Sequence, residues 1–408
     1  MRIEEIREQF PILGEEVYGR PLVYLDNAAT SQRPLSVVRM WDEISLKCNS
    51  NLHRAVHRLA QLATDRYEST RDAVAAFIGA SDRREIVFCS GATQALNMLA
   101  FGLGESTIKA GDEVVVSESE HHSNIVPWQM MTERKGAVLR PLGVDERGYL
   151  DMDGLRKMLA EGRVKVVSIA HVSNVLGIVN PVAEIAKLCR EAGCISVIDG
   201  AQGVVHCDVN VQEIGCDFYV FSGHKIYAAP GTGVLFGRAE RLEQLPPFMG
   251  GGEMIETVRW SGTTYAPVPA RFEAGTQNIS GVPTLMPALE IAQIFKNQEI
   301  KKNIKEITSY MLGALAEDTR IHLYGNPVSV QDKVPVFSFS VEGAHHEDLA
   351  LILDKMGIAL RSGQMCTEPL MDRYSVTGMV RASFAPYNTL QEAEYLMDSL
   401  HKAIKMLV

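Results

Sequence analysis

Short apolar runs alternate with amphipathic stretches through the middle of the chain. Strands are expected at residues 85–89, Glu113–Ser117, Val164–Ala170, 195–198 and 218–221, where apolar and β-branched residues follow one another between turn formers. Helical spacing falls between them, at residues 94–103 and Val182–Ala192, the second closed by Gly193 as a C-cap. Strands alternating with helices predict an α/β fold with a mostly parallel sheet and helices on both of its faces. From about residue 285 the pattern changes. A long helical stretch at 284–317 leads into short strands at 334–341 and 358–361, and a final helix spans Leu390–Leu407. This predicts a large domain over residues 21–284 and a smaller α+β domain over 285–408. Residues 1–20, a short helix and a turn, are expected to pack on the smaller one.

Composition narrows the function without naming it. The chain has 408 residues, enough for two packed domains or one large one. It is 46% hydrophobic and 22% charged, as globular proteins are, and its net charge is −10. That acidic balance argues against non-specific nucleic-acid binding and against an anionic membrane surface. The start, MRIEEIREQFPIL, carries acids and no long apolar stretch, and no run approaches the ~18 apolar residues of a membrane span. A cytoplasmic location is the expectation. Seven cysteines, an odd number without a CxxC pair, suit neither a disulfide framework nor a zinc site, so no metal is expected.

Candidate chemistry gathers where strands end. The stretch Phe218-Tyr-Val-Phe-Ser-Gly-His-Lys225 delivers Lys225 to the carboxyl edge of a parallel sheet, the edge at which open α/β folds bind ligands. A lysine buried there can lose its proton and form a Schiff base with a carbonyl, although a lone loop lysine is ordinarily a surface residue. Asp199 ends another strand, with Gln202 three residues on. A carboxylate beside a pyridinium nitrogen keeps it protonated and makes the ring an electron sink; the same aspartate could equally cap a helix. Ser90-Gly-Ala-Thr93-Gln94 opens an apolar helix, and the free amides there form a seat for phosphate. Gly231-Thr-Gly233-Val-Leu-Phe-Gly237 misses the dinucleotide fingerprint by one residue. In Ser-Glu-His121-His122-Ser-Asn, either histidine could stack on a ring and carry protons, and spacing does not choose between them.

Together these segments resemble the fold-type-I pyridoxal-phosphate enzymes, in particular the class V aminotransferase and cysteine desulfurase group, and within it the SUF-type (group II) desulfurases. The resemblance covers nearly the whole chain and includes Tyr24-Leu-Asp-Asn-Ala-Ala29, Glu120-His-His-Ser-Asn-Ile-Val-Pro-Trp128, His171-Val-Ser-Asn-Val-Leu-Gly177, Asp199-Gly-Ala-Gln202, Ser222-Gly-His-Lys225 and Arg271-Phe-Glu-Ala-Gly-Thr276. It implies pyridoxal 5′-phosphate as cofactor, with Lys225 as its Schiff-base lysine, Asp199 as partner of the ring nitrogen and Gln202 as partner of the phenolic oxygen. His121 matches the ring-stacking residue. Thr93, Ser222 and His224 match phosphate ligands. Thr276 matches the residue that reaches the neighbouring subunit's phosphate, which implies a homodimer.

Arg361-Ser-Gly-Gln-Met-Cys366 begins where an apolar strand gives out, and Gly363 lets the backbone turn. A cysteine on such a loop, with an arginine nearby, is a candidate reactive thiol. Cys89 and Cys194 in strands and Cys189 on a core-facing stripe read as packing residues; Cys48, Cys207 and Cys216 stay open. The resemblance makes Cys366 the acceptor of a persulfide from L-cysteine, Arg381 the clamp on the substrate carboxylate, with Asn174 assisting and Arg361 close by. It implies alanine as the other product and a small SufE-like or SufU-like sulfur acceptor feeding iron–sulfur cluster assembly. A selenocysteine lyase, or another class V lyase or transaminase, is the alternative. Gln364 and Met365 stand where many group II enzymes have two histidines.

Overall fold

The computed structural model describes residues 2–408. A seven-stranded sheet lies at the centre of the first two-thirds of the chain. Its order is Ile86–Cys89, Gly233–Gly237, Phe218–Ser222, Ile195–Asp199, Val164–Ala170, Glu113–Ser117 and Val138–Leu142. Gly233–Gly237 is antiparallel to both its neighbours, and the remaining pairs are parallel. The strands expected from sequence form with end shifts of a residue. Three of them, Glu113–Ser117, Ile195–Asp199 and Phe218–Ser222, are buried at every position. Their continuous apolar runs reflect a sheet covered on both faces. The acid that opens the first of these strands is compensated: Glu113 is paired with Arg140 at 2.7 Å and Arg163 at 2.9 Å.

Helices Ala92–Ser106 and Val182–Ala192 flank this sheet. The second ends as expected at Gly193, whose φ of +71° suits a residue without a β carbon. A second, four-stranded antiparallel sheet has the order Ile321–Tyr324, Val336–Val341, Met379–Ser383, Arg361–Gly363. Leu390–Leu407, Gln298–Glu317 and His346–Lys355 pack their apolar sides onto it. The final helix starts on a reciprocal cap between Thr389 and Glu392.

Two expectations need correction. The helical stretch 284–317 is two helices, Leu285–Ile294 and Gln298–Glu317, because the Asn297 side chain accepts the Ile300 amide and starts a new helix. The strand at 358–361 is also two: Ile358–Ala359 pairs in parallel with Val23–Tyr24, while Arg361–Gly363 joins the four-stranded sheet. Near the N-terminus, Ile3–Arg7 is helical and Phe10 is fully buried, its ring 4.7 Å from Tyr387 and 6.1 Å from Tyr227. This segment therefore touches residues from both halves of the chain. Among the described residues no helix is long and apolar enough to cross a membrane.

Candidate active site

Five strands bring their carboxyl ends to one edge of the large sheet, and the sequence after each end supplies a wall of one pocket. Its volume is about 180 Å³, and it is lined by Thr93, His121, Asn174, Asp199, Ser222, His224, Lys225, Arg361, Cys366 and Arg381 among others. Thus ten of the twelve candidate residues meet at one place although they span most of the chain.

At the floor, Lys225 and Asp199 oppose each other. Burial lowers the lysine's pKa and raises that of the aspartate, and each of the two charges counters the effect on the other. The Asp199 Oδ1 accepts the Ala201 amide at 2.9 Å, and the carboxylate caps no helix. Gly200, next in the chain, lies against Tyr219: a β carbon there would come within 2.0 Å of the phenol ring. The Tyr219 hydroxyl in turn meets His171 Nδ1 at 3.0 Å.

One side of the pocket is built for an anion. Ala92–Ser106 begins at Gly91, and the Ala92 amide donates to Ser222 Oγ at 2.8 Å. The backbones of Gly91 and Gly233 are so close that a β carbon on Gly233 would sit 2.3 Å from Gly91 Cα. Thr93, in the first turn, adds its hydroxyl beside amides that have no partner within the helix. His224 stands opposite, its Nδ1 3.3 Å from Thr30 Oγ1, and burial lowers its pKa to about 4.

Of the two adjacent histidines, His121 lines the pocket and His122 turns away from it. Burial, with Lys225 beside it, drops the His121 pKa to about 3, so the ring is neutral. The Ser123 amide donates to its Nδ1 at 3.1 Å, which puts the ring proton on Nε2. The choice that spacing left open is thereby made by position.

The opposite wall is formed in part by Arg381, which is 2% exposed. It donates to Asn174 O at 3.0 Å and pairs with Asp26 at 3.1 Å, and Arg361 reaches the same aspartate at 3.7 Å. The Nε of Arg381 has no partner, an unsatisfied buried donor beside the pocket. Such a donor fits a ligand carboxylate. Asp26, which organises both arginines, was quoted above only as part of a motif; an acid inside the apolar run Tyr24–Ala29 was the available signal.

Cys366 is the exposed member of the cysteine set, and its loop curls over the pocket. Cys189, Cys194 and Cys216 are buried, as is Cys48, while burial raises Cys89, Cys207 and Cys216 to about 12. Gln202 and Thr276 are not among the lining residues. Gln202 is buried behind the wall, donating to Ala28 O at 2.7 Å, and Thr276 is exposed on a separate loop. Among the described residues no cluster of three His, Cys, Asp or Glu side chains could hold a metal ion.

The family model for class V aminotransferases matches residues 23–396. The chain belongs to that family. Curated members similar to it include a probable cysteine desulfurase of Vibrio cholerae, 42% identical over 407 residues and covering all of both chains. A cysteine desulfurase of Dickeya dadantii is 43% identical, with 99% of this chain and 97% of the relative covered. Among solved structures, the apo cysteine desulfurase of Thermococcus onnurineus superposes with a TM-score of 0.93 at 38% identity, covering 100% of this chain and 99% of that one. The expected family and its fold-type-I architecture are borne out. Class V aminotransferases depend on pyridoxal phosphate, and the pocket fits that group on its own chemistry: a buried lysine faces a buried aspartate, and a helix N-terminus with a threonine stands to one side.

Proposed function

We propose that the chain is a cysteine desulfurase that takes sulfur from L-cysteine onto Cys366 and releases L-alanine. The observation that carries this is the placement of an exposed thiol at the rim of a pocket whose floor holds Lys225 and Asp199. A plain transaminase has no use for that thiol.

The cofactor, when bound, supplies an electron sink that loosens bonds around the substrate's α carbon. Lys225 would hold it, Asp199 would keep its ring nitrogen protonated, and Thr93, Ser222 and His224 would take its phosphate. Gln202, which the resemblance makes the partner of the phenolic oxygen, donates instead to Ala28 O, and its part in holding the cofactor rests on the resemblance alone. Lys225, made less basic by burial, is suited to moving a proton at the substrate's α carbon. His121, neutral and protonated at Nε2, would lie against the ring and orient it. Arg381 takes the substrate carboxylate through its free Nε, held in place by Asp26 and Asn174, with Arg361 adding charge.

The substrate sulfur then lies toward Cys366. The Cys366 thiolate attacks it; an S–S bond forms, the substrate's Cβ–S bond breaks, and its electron pair with a proton completes alanine. Atoms balance as L-cysteine plus protein thiol giving L-alanine plus protein persulfide. A small acceptor protein of SufE or SufU type would collect the sulfur for iron–sulfur cluster assembly in the cytoplasm. The short loop from Arg361 to Cys366 supports the SUF-type (group II) branch. Met365 is buried beside Leu370 and Met379, so it packs the loop down and carries no proton. A homodimer is supported by the hairpin Ile255–Arg259 and Gly262–Tyr265, which leaves Val258, Trp260 and Tyr265 exposed, and by Thr276.

The test is incubation with L-cysteine, following alanine and sulfide with and without a reductant. The expected result is one alanine per protein thiol without reductant and continued turnover with it. Pyruvate and ammonia in place of alanine would overturn the reading. L-selenocysteine in a parallel assay separates the lyase alternative.

A further inference from the structure

The loop that carries the thiol is held in an unfavourable shape. Met365 and Cys366 both have positive φ, 53° and 57°, a left-handed conformation that residues with a β carbon adopt singly and at a cost. Two such residues in succession persist where their surroundings over-determine them. Three hydrogen bonds across the pocket do so here. Asn174 Nδ2 donates to Met365 O at 3.0 Å, the His122 amide donates to Cys366 O at 2.7 Å, and the Glu368 amide donates to His122 Nε2 at 3.0 Å.

His122 therefore grips the loop twice, at the Cys366 carbonyl through its backbone and two residues further on, at the Glu368 amide, through its ring. We infer that His122 is the positioning residue of the nucleophile: its neutral imidazole, accepting the Glu368 amide, keeps Cys366 turned toward the substrate's sulfur. This assignment rests on the desulfurase reading for what the thiol attacks, but the grip itself does not.

The ring can accept at Nε2 solely while that nitrogen is unprotonated. A protonated ring would present a donor and a positive charge to the first turn of Glu368–Tyr374, where free amides and the helix dipole already carry positive charge. The groups facing the ring are His121 on its own turn, with centroids 6.4 Å apart, and Cys366 and Glu368 on the opposing loop. On the elements packed against this turn, Glu105, Lys165 and the set Glu133, Arg134 and Lys135 lie toward the far ends of their helices and strand.

The experiment compares the full chain with His122→Ala and His122→Gln, the glutamine carbonyl being able to accept where Nε2 does. Amide hydrogen exchange of the peptide covering residues 364–371 is followed without substrate at about pH 8. Sulfur transfer from L-cysteine is measured alongside. His122→Ala should speed exchange of the Glu368 amide about tenfold and slow sulfur transfer to a similar degree with KM unchanged. His122→Gln should restore both. Equal exchange in parent and His122→Ala, or faster exchange with undiminished sulfur transfer, overturns the inference. If the alanine variant does not fold, His122→Leu decides, since it fills the space without accepting the Glu368 amide, and parent-like exchange in it would also overturn the inference. Should the parent itself form no alanine, the desulfurase reading fails while the exchange comparison still reports on the grip.

Discussion

Arg381 shows how much of this site is decided by single side chains. Its two terminal nitrogens are anchored on Asn174 and Asp26 while Nε has no partner, so the guanidinium plane and with it the free Nε donor have a fixed direction. A lysine keeps the charge but loses the fork that serves Asp26, Asn174 and the substrate together. Arg381→Lys should raise KM for L-cysteine by about ten- to a hundredfold, as expected for a lost charged hydrogen bond, with a smaller change in kcat. Steady-state alanine formation checks this, and an unchanged KM would place the carboxylate elsewhere. Asp199 is predicted to act differently. Asp199→Ala should weaken cofactor binding and remove most turnover, and near-normal kcat with cofactor bound would reduce Asp199 to a turn residue held by Ala201.

At the scale of elements, the segment from His171 to Gly177 is the support on which the carboxylate clamp depends. Gly177 has φ of +63°, and a β carbon there would lie 2.7 Å from Val336 O. Gly177→Ala should cost about 2 kcal/mol of stability, from strain and the displaced strand Val336–Val341, and should weaken substrate binding through Asn174. Urea unfolding measures the first effect and KM the second; a parent-like midpoint would contradict the account. Elements were legible in the sequence where burial made the pattern uniform. Glu113–Ser117 and Val164–Ala170 show as unbroken runs because both faces of the sheet are covered, and Val182–Ala192 shows both its stripe and its cap. The break at Asn297 was hidden because apolar spacing continues through Ile294, Phe295 and Ile300 with no glycine or proline between them. Val138–Leu142, an edge strand with Pro141 in it, gives no strand signal, as is usual at an edge. Asp26 lay beyond sequence reasoning for another reason: its partner Arg381 is 355 residues away.

On the scale of the whole molecule, buried titratable groups set the response to acid. His171 is 6% exposed and its pKa is lowered to about 4 by burial, so its stabilising contribution is present above the ordinary histidine value and lost as pH falls toward 4. The shift corresponds to about 3 kcal/mol. Glu120, fully buried with its pKa raised to about 7, acts with opposite sign: its contribution is present at low pH and lost as pH rises through 7. The two offset each other between about pH 4.5 and 6.5. Glu120→Gln should therefore lose stability on acidification more steeply than the parent chain, and parallel curves of melting temperature against pH would contradict this. We propose that the chain divides at residues 20–21 and 284–285, and that two copies assemble so that Thr276 of each completes the phosphate site of the other. Sedimentation should show a dimer, and a fully active monomer at assay concentration would sink that assembly.

The central claim is that sulfur passes through Cys366. Its most direct measurement is mass spectrometry of the intact and digested protein after a short pulse of L-cysteine without reductant. The account predicts a single added sulfur on the peptide containing Cys366, absent from Cys366→Ala, which should still bind L-cysteine but release no sulfur. An adduct on Cys48, Cys207 or Cys216 instead, with full activity in Cys366→Ala, would contradict it.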